Sequence, residues 1–151
     1  KPDDVPTYVE YGTADLGIVG RDVFLERDYD LFVPLDLGIG RCRLSVAAPR
    51  NVDVKSLYAL SRPYPLRVAT SFFQKKRLPI EVIPLSGSVE LGPITGVSDV
   101  IVDLVESGET LKQNGLIEIE TIMEVSTVVV ANRVSYKLKM AAVQDFIALL
   151  S

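Results

Sequence analysis

The residues best suited to chemistry lie in one segment, 98–115, where a β-branched run is followed by hydroxyls, glycine and carboxylates. A phosphate ester needs several hydrogen-bond donors that converge on one point, and backbone N–H groups and hydroxyls at a helix start supply them. Ser107, Gly108 and Thr110 stand where such a loop would form, since glycine lets the backbone approach a ligand closely. No lysine follows this glycine at the spacing of a Walker loop, so the pattern is not that of a P-loop.

Carboxylates accompany this loop. Asp103 and Glu106 come at the carboxyl end of the predicted strand, the usual ligand position in α/β sheets. Beside a phosphate, acidic groups suit sugar hydroxyls or a magnesium ion better than the phosphate itself. A strand followed by a capped helix, with Glu106 and Glu109 solvated, would give the same pattern. Spacing alone therefore leaves a purely structural interpretation open.

Composition excludes several mechanisms. The 151 residues include no histidine, which excludes a Ser-His pair, a His-ligated zinc and an imidazole pH switch. Cys42 is the only cysteine, so an internal disulfide framework is excluded and a reducing compartment is favoured. The net charge of −4 argues weakly against non-specific binding of nucleic acid. No charge-free run is long enough to cross a membrane, so no membrane association is predicted.

The elements that must position these residues alternate between short β-branched runs and longer mixed segments, which predicts an α/β fold. We predict strands over Ala14–Val19, Arg43–Ala48, Leu66–Thr70, Ile80–Pro84, Val100–Val105 and Val125–Ala131. Helices are predicted to begin near Asp4, Arg21, Val52, Ser88 and Glu109. A last helix, from about Ser135 to Leu150, has apolar residues at helical spacing and a serine that can cap it.

Two segments share a layout. In Gly12-Thr-Ala-Asp15 and in Gly96-Val-Ser-Asp99 a glycine can end a helix, and an aspartate precedes a strand. Many αβ loops use these residues, so the likeness can be incidental. The alternative is a pair of similar α/β lobes facing a cleft. Residues 1–64 and 128–151 would then form the first lobe, and residues 65–127 the second, loop-bearing lobe.

Four ordered blocks closely resemble the signatures of one enzyme family, the catalytic subunits of ATP phosphoribosyltransferase. The most specific is Leu85-Ser-Gly-Ser-Val-Glu-Leu-Gly-Pro-Ile-Thr-Gly-Val-Ser-Asp99, which runs into Val102-Asp-Leu-Val-Glu-Ser-Gly-Glu-Thr-Leu111. The others are Gly12-Thr-Ala-Asp-Leu-Gly-Ile-Val-Gly-Arg-Asp22, Asp36-Leu-Gly-Ile-Gly-Arg-Cys-Arg-Leu44 and Val129-Val-Ala-Asn-Arg-Val-Ser-Tyr136. Because the resemblance covers nearly the whole chain, it favours the functional interpretation of the loop.

The resemblance implies an enzyme that transfers the phosphoribosyl group of phosphoribosyl pyrophosphate to N1 of ATP and releases pyrophosphate. This is the first step of histidine biosynthesis. The resemblance also implies two α/β lobes around a cleft, like type II periplasmic binding proteins, and a cytoplasmic location. The expected cofactor is magnesium, carried by the substrate without direct protein ligands. The expected assembly is a homodimer that, in the family's short form, pairs with a regulatory subunit resembling histidyl-tRNA synthetase.

The site residues are carried over position by position. The resemblance gives the catalytic role to two carboxylates, Asp103 and Glu90. It gives phosphoribosyl pyrophosphate binding to Glu106, Ser107, Gly108, Glu109, Thr110 and Leu111. It places on the ATP side Asp15, Leu16, Gly20, Asp22, Arg41 and Arg43.

Structural alternatives stay open for several of these residues. Glu90 can be a helix-start carboxylate favoured by the helix dipole. Of Arg41 and Arg43, one can be solvated and the other ion-paired. Tyr8 and Tyr11 could stack on adenine, but packing on a helix face is the better prediction. Cys42 is predicted to be a buried strand residue without a chemical role.

The absence of histidine suits the implied reaction, because the attacking ring nitrogen of ATP carries no proton and needs no general base. Carboxylates would stabilise the oxocarbenium character of the ribose, and magnesium and cations the departing diphosphate. The family also has a further N-terminal part before the match to Asp4 and extra helix after Ser71, so we expect the sequence to be part of a longer protein. Two rivals remain: a phosphoribosyltransferase with another acceptor base, and a periplasmic-type solute-binding lobe pair.

Overall fold

The computed structural model describes residues 1–52, 59–62, 66–85 and 87–151. The chain divides into two compact units: Lys1–Arg41 with Val125–Ser151, and Cys42–Glu124. This division falls before the predicted lobe boundaries at 64 and 127, because the strand that begins at Cys42 pairs within the second unit. No helix of the described ranges combines the length and the apolar character that crossing a bilayer requires.

The secondary structure is mixed α/β throughout. In chain order it consists of a 3-10 turn (Pro2–Asp4), α1 (Val5–Glu10), β1 (Leu16–Gly20), α2 (Arg21–Glu26), β2 (Leu31–Asp36), β3 (Cys42–Pro49), β4 (Ala59–Arg62), α3 (Leu66–Lys75), β5 (Glu81–Pro84), α4 (Leu91–Thr95), β6 (Val100–Val105), α5 (Glu109–Gln113), β7 (Leu116–Val125), β8 (Thr127–Asn132), α6 (Arg133–Leu138) and α7 (Met140–Leu150).

The first unit contains an antiparallel three-stranded sheet in the order β1-β8-β2. Its central strand is apolar without alternation, and residues 128–131 are fully buried, as expected of a strand covered on both faces. Helix α1 lies so close to β1 that a Cβ on Gly17 would come within 2.6 Å of a Val5 methyl and 2.9 Å of a Val9 methyl. Glycine is therefore required at this point of the strand.

The single C-terminal helix predicted over 135–150 is wrong in its boundaries. The chain forms α6 and α7, which are separated at Lys139, where ψ is 29°. Asn132 rather than Ser135 caps α6, because its side-chain oxygen accepts hydrogen bonds from the N–H groups of Val134 (2.9 Å) and Ser135 (3.0 Å). The Ser135 hydroxyl is instead directed to Asp15, to which it donates a hydrogen bond.

The second unit contains a mixed five-stranded sheet in the order β5-β4-β6-β3-β7. Strand β4 runs parallel to β5 and β6, whereas β3 runs antiparallel to β6. The central strands β3 and β6 are buried over Leu44–Ala48 and Val100–Val102. Predicted strands at 43–48, 80–84 and 100–105 correspond to β3, β5 and β6, whereas β4 and β7 were not predicted and neither was β2 of the first unit.

The strand predicted at Leu66–Thr70 is wrong, because these residues form the first half of α3. Ala69 and Phe73, four positions apart, are both buried, which is the spacing of one helix face. One continuous helix therefore spans Leu66–Lys75. Helix α4 begins at Leu91 rather than near Ser88. The helix predicted to begin near Val52 continues into residues 53–58, which lie outside the described ranges.

Candidate functional site

The candidate site is built at the end of β6, in the second unit. Its register with β3 places Ala47, Ser45 and Arg43 opposite Ile101, Asp103 and Val105. Because side chains alternate along a strand, these six residues belong to one face of the sheet. Asp103 therefore shares this face with the predicted binding residue Arg43. The Oδ1 atom of Asp103 accepts a hydrogen bond from the N–H of Leu104 at 2.8 Å.

The loop after β6 adopts the turn that its glycine predicts. Gly108 has φ +77°, in the left-handed region, and is the N-cap residue of α5. Its carbonyl accepts a hydrogen bond from the N–H of Lys112 at 3.2 Å, and the Ser107 Oγ accepts one from the N–H of Glu109 at 3.3 Å. A pocket of about 250 Å³ opens here, lined by Asp103, Leu104, Val105, Glu106, Ser107, Gly108, Thr110 and Leu111. The structure thus brings Asp103 together with the predicted loop.

One apolar cluster underlies the loop and the turn that carries Glu90. Its members are buried: Ala47, Val89, Ile101, Val105, Leu111 and Leu116. Leu111 of the loop packs in this cluster, and so does Val89 of the turn before α4. Glu90, the half-buried N-cap residue of α4, makes no side-chain capping hydrogen bond. Asp103 lines the pocket and Glu90 does not, so the pocket does not bring the two predicted catalytic carboxylates together.

A residue that sequence reasoning did not single out, Glu118 of β7, organises the polar side of this face. Its carboxylate accepts two hydrogen bonds from Arg43, each of 2.7 Å, and one from the Ser45 hydroxyl, also of 2.7 Å. Thr121 Oγ1 donates a fourth, at 3.2 Å. The Arg43 hydrogen bonds, aided by Ser45, lower the pKa of Glu118 to about 2, against the opposing effect of burial.

This pKa predicts a specific pH dependence. A carboxyl whose pKa is lower in the folded than in the unfolded protein stabilises the fold above the unfolded value, here 4.5, and loses that contribution as pH falls toward 2. In urea unfolding, Glu118→Gln should be less stable than the wild type at pH 7. The difference between their free energies of unfolding should narrow by about 1–2 kcal/mol by pH 2.5. This value is reduced because Glu118 is partly exposed to solvent, which screens the interaction. If the free energies of unfolding of the two proteins changed in parallel with pH, the lowered pKa of Glu118 would be contradicted.

Arg43 and Arg41 differ in their surroundings. Arg43 belongs to β3 in the second unit, and its third hydrogen bond, from Nη1, goes to the backbone carbonyl of Glu106 at 3.1 Å. Arg41 precedes β3, and its Nε donates to the carbonyl of Gly38 at 2.9 Å. Of the two alternatives left open for these arginines, Arg43 adopts the ion-paired one, with Glu118 as its partner.

The loop that contains Arg41 is fixed within the first unit by the carboxylate of Asp36. This carboxylate accepts hydrogen bonds from Ser126 Oγ (2.7 Å), the Gly38 N–H (2.9 Å) and Arg21 Nη2 (3.0 Å). The bond from Ser126, followed by that from Gly38, lowers the pKa of Asp36. Gly38 has φ +65°, a conformation that favours glycine.

Asp15, predicted for the ATP side, is held by structural contacts. Its carboxylate accepts hydrogen bonds from Lys139 Nζ at 2.8 and 2.9 Å and from Ser135 Oγ at 2.6 Å. Lys139 and then Ser135 lower the pKa of Asp15. The contacts tie the approach to β1 to the junction of α6 and α7.

The remaining ATP-side residues surround the step from β1 into α2. Leu16 is the first residue of β1 and pairs with Ala131. Gly20 precedes α2, where a Cβ would collide with the carboxylate of the buried Asp22. Asp15, Leu16, Gly20, Asp22 and Arg41 thus belong to the first unit, whereas Arg43 lies with the loop in the second.

Three further sequence predictions concern side chains outside these groups. Tyr8 and Tyr11 are 56% and 81% exposed, so the predicted packing of both rings on a helix face is wrong. Cys42 is half-buried at the start of β3. Within the described ranges, no three Cys, Asp or Glu side chains are grouped so that they could hold a metal ion.

Fold and site together define a mixed α/β protein with an acidic strand end beside a hydroxyl-bearing glycine loop. The family model described as HisG: ATP phosphoribosyltransferase matches residues 1–151. The chain belongs to this family, whose enzyme opens histidine biosynthesis.

Individual relatives agree. An ATP phosphoribosyltransferase of Sorangium cellulosum is 54% identical over 147 residues, which are 97% of this chain and 69% of that protein. One of Geobacter metallireducens is 49% identical over 150 residues, 95% of this chain and 70% of that protein. Among solved structures, the ATP phosphoribosyl transferase (HisG:HisZ) complex from Thermotoga maritima matches with a TM-score of 0.91 at 38% identity, over 99% of this chain and 75% of that one.

Proposed function

We propose that this chain transfers the phosphoribosyl group of phosphoribosyl pyrophosphate to N1 of ATP, with the pocket at the end of β6 as the phosphoribosyl site. The observation that carries the proposal is that Asp103 and five residues of the following loop line one pocket, in a chain that belongs to this enzyme family throughout its length: Glu106, Ser107, Gly108, Thr110 and Leu111. Glu109 is not among the lining residues.

The loop is suited to the 5-phosphate of the substrate. The left-handed conformation of Gly108 turns the chain sharply and leaves no side chain over the backbone at that point. Ser107 and Thr110 are exposed and add hydroxyl donors to the N–H groups of the loop. The loop lacks a basic side chain between Glu106 and Leu111, so backbone and hydroxyl donors would carry the phosphate binding.

Asp103 is suited to the ribose. Breaking the bond between the anomeric carbon and the diphosphate places positive charge on the ring, while N1 of ATP forms the new bond and pyrophosphate leaves with the electron pair. A carboxylate near the ring stabilises that charge in a site of reduced dielectric. Glu90, on the turn that shares the loop's core, would act on the ribose or on the metal-bound diphosphate.

The family needs a divalent metal, and we propose magnesium. Hard oxygen ligands of the diphosphate suit this ion, which neutralises the leaving group. Substrate oxygens and water would supply its ligands, and the carboxylates of Asp103 and Glu90 would interact with it through bound water.

For the ATP side we propose residues of the first unit, namely Asp15, Leu16, Gly20, Asp22 and Arg41. Arg43 is assigned a different role below, because three of its N–H donors and its charge are engaged in the second unit. We also propose the fold resemblance to type II periplasmic binding proteins, with one lobe for each substrate.

The proposed assembly is a homodimer that works with a regulatory subunit resembling histidyl-tRNA synthetase, in the cytoplasm. The support is the Thermotoga maritima neighbour, which is described as a HisG:HisZ complex. Its similarity covers nearly all of this chain.

The direct test uses the full-length protein with its regulatory partner, ATP, phosphoribosyl pyrophosphate and magnesium. Formation of phosphoribosyl-ATP together with an equal amount of pyrophosphate is expected. Product with another base, but none with ATP, would favour the rival phosphoribosyltransferase. Binding without turnover of either substrate would favour a solute-binding protein.

Thr110→Ala tests the loop. Loss of one hydroxyl donor to a charged phosphate should raise the KM for phosphoribosyl pyrophosphate by about tenfold. The KM for ATP and the melting temperature should change little, because Thr110 is exposed and lies outside the buried cluster. Thr95→Ala is the control, since Thr95 is also exposed on a short helix and its hydroxyl donates to carbonyls of its own turn. Equal effects of the two substitutions on KM would contradict the assignment.

A further inference from the structure

We propose that Arg43 is a positioning residue for phosphoribosyl pyrophosphate: Glu118 holds its guanidinium, which in turn fixes the direction of the Ser107 N–H group. The inference rests on the proposed function of the loop. It replaces the expectation that Arg43 contacts ATP, and it gives a role to Glu118, which no motif contained.

Glu118 neutralises the charge of the Arg43 guanidinium. The Nε and Nη2 atoms of Arg43 each donate to a separate oxygen of Glu118 at 2.7 Å, a bidentate pair that neutralises the cation. The third donor, Nη1, is used on the Glu106 carbonyl at 3.1 Å. A guanidinium engaged in this way is poorly suited to bind a substrate anion itself, but its planar fork is well suited to hold a backbone group.

Arg43 acts on the loop through the peptide between Glu106 and Ser107. In a trans peptide the carbonyl of one residue and the N–H of the next lie in one plane and point in opposite directions. Fixing the Glu106 carbonyl toward Arg43 therefore fixes the Ser107 N–H away from Arg43. Ser107 opens the donor loop and lines the pocket, so this peptide sets the first N–H of the loop.

The carboxylate of Glu118, which holds Arg43, is itself fixed by other side chains. Glu118 receives further hydrogen bonds from Ser45, which is fully buried, and from Thr121. Arg43 and Ser45 belong to β3, and Glu118 and Thr121 to β7, which is its neighbour in the sheet. The carboxylate is thus anchored to two strands, and the guanidinium transmits this rigid position to the loop.

The test compares Arg43→Lys with the wild type in the full-length enzyme and its partner. A lysine carries its three donors on one nitrogen and lacks the separated nitrogens of the guanidinium fork, so it cannot hold the Glu118 carboxylate and the Glu106 carbonyl together. We expect the KM for phosphoribosyl pyrophosphate to rise by about tenfold, the effect of one misdirected hydrogen bond, with the KM for ATP unchanged within about twofold. With phosphoribosyl pyrophosphate bound, amide exchange at Ser107 and Gly108 should be less protected in the variant than in the wild type, while that of β6 stays slow in both proteins.

Glu118→Gln provides a second variant, which keeps the size of the side chain and removes the charge that holds Arg43. It should raise the same KM, and combining it with Arg43→Lys should add little, because both act through one contact. Glu120→Gln is the matched control: this neighbouring glutamate of β7 forms an exposed ion pair with Lys76.

The outcomes separate this inference from the proposed function. A wild type that makes no phosphoribosyl-ATP would refute the function, and the positioning role with it. An active wild type, with an unchanged substrate KM in Arg43→Lys, would overturn the positioning role alone. Equal increases of both KM values would do the same, since they indicate general damage rather than an effect on the loop.

Discussion

Gly108→Val is expected to raise the KM for phosphoribosyl pyrophosphate by about two orders of magnitude. Gly108 has φ +77°, and a β-branched residue in this region pays on the order of 1–3 kcal/mol in backbone strain. The cost is conformational rather than a lack of room, because the nearest atom to an added Cβ is a Val105 methyl at 3.8 Å. Relief of the strain would turn the N–H groups of the loop away from the phosphate.

The measurement is steady-state kinetics with both substrates, together with calorimetric binding of phosphoribosyl pyrophosphate alone. Gly96→Val is the matched control, because Gly96 has φ +73° and nothing lies within 4 Å of an added Cβ. It carries the same strain at the end of α4 but lies outside the loop. A similar loss of substrate binding in both variants would show that strain in the unit, and not the loop geometry, is responsible.

Asp103→Asn is expected to lower kcat by about 100-fold, the range observed when one preorganised electrostatic contact to a transition state is removed. Asparagine keeps the shape and the oxygen that accepts the Leu104 N–H, so the strand should be undisturbed. The KM for phosphoribosyl pyrophosphate should change by less than about threefold, since positive charge develops on the ribose only as pyrophosphate departs.

The control for this change is Glu81→Gln, which also replaces a carboxylate by an amide, at an exposed position of β5 in the same sheet. It should leave kcat unchanged. If Asp103→Asn raises KM and leaves kcat intact, Asp103 binds the substrate and does not stabilise the transition state. Equal loss of kcat in both variants would point to the net charge of the sheet.

The elements closest to the loop could be predicted from sequence because local signals agreed there. A β-branched run, a glycine that suits a left-handed turn and a short amphipathic segment gave β6 and α5 close to their observed bounds. The signals disagreed at Leu66–Thr70, where β-branched residues suggested a strand. Burial of Ala69 together with Phe73 shows that the helical period extends beyond that window.

Other elements lacked a clear local signal. The alternation of β7 mixes glutamates with isoleucines, because this strand lies at an edge of its sheet and keeps a partly exposed face. The division of the C-terminal segment at Lys139 was hidden, since its apolar spacing continues through the break. The side chain of Lys139 donates a hydrogen bond to Asp15, which is 124 positions away in the chain.

The sequence by itself determined the chemistry that is available. The 151 residues contain no histidine, and their hydroxyls, glycine and Asp103 follow one another in an order that resembles the phosphoribosyl pyrophosphate loop of the family. Only the tertiary structure decided how Arg43 is used. Its partner Glu118 stands 75 positions away, and the pairing depends on which strands adjoin β3 and in what register. Local sequence reports residue types and spacing, whereas an ion pair between neighbouring strands is fixed only when the sheet is assembled.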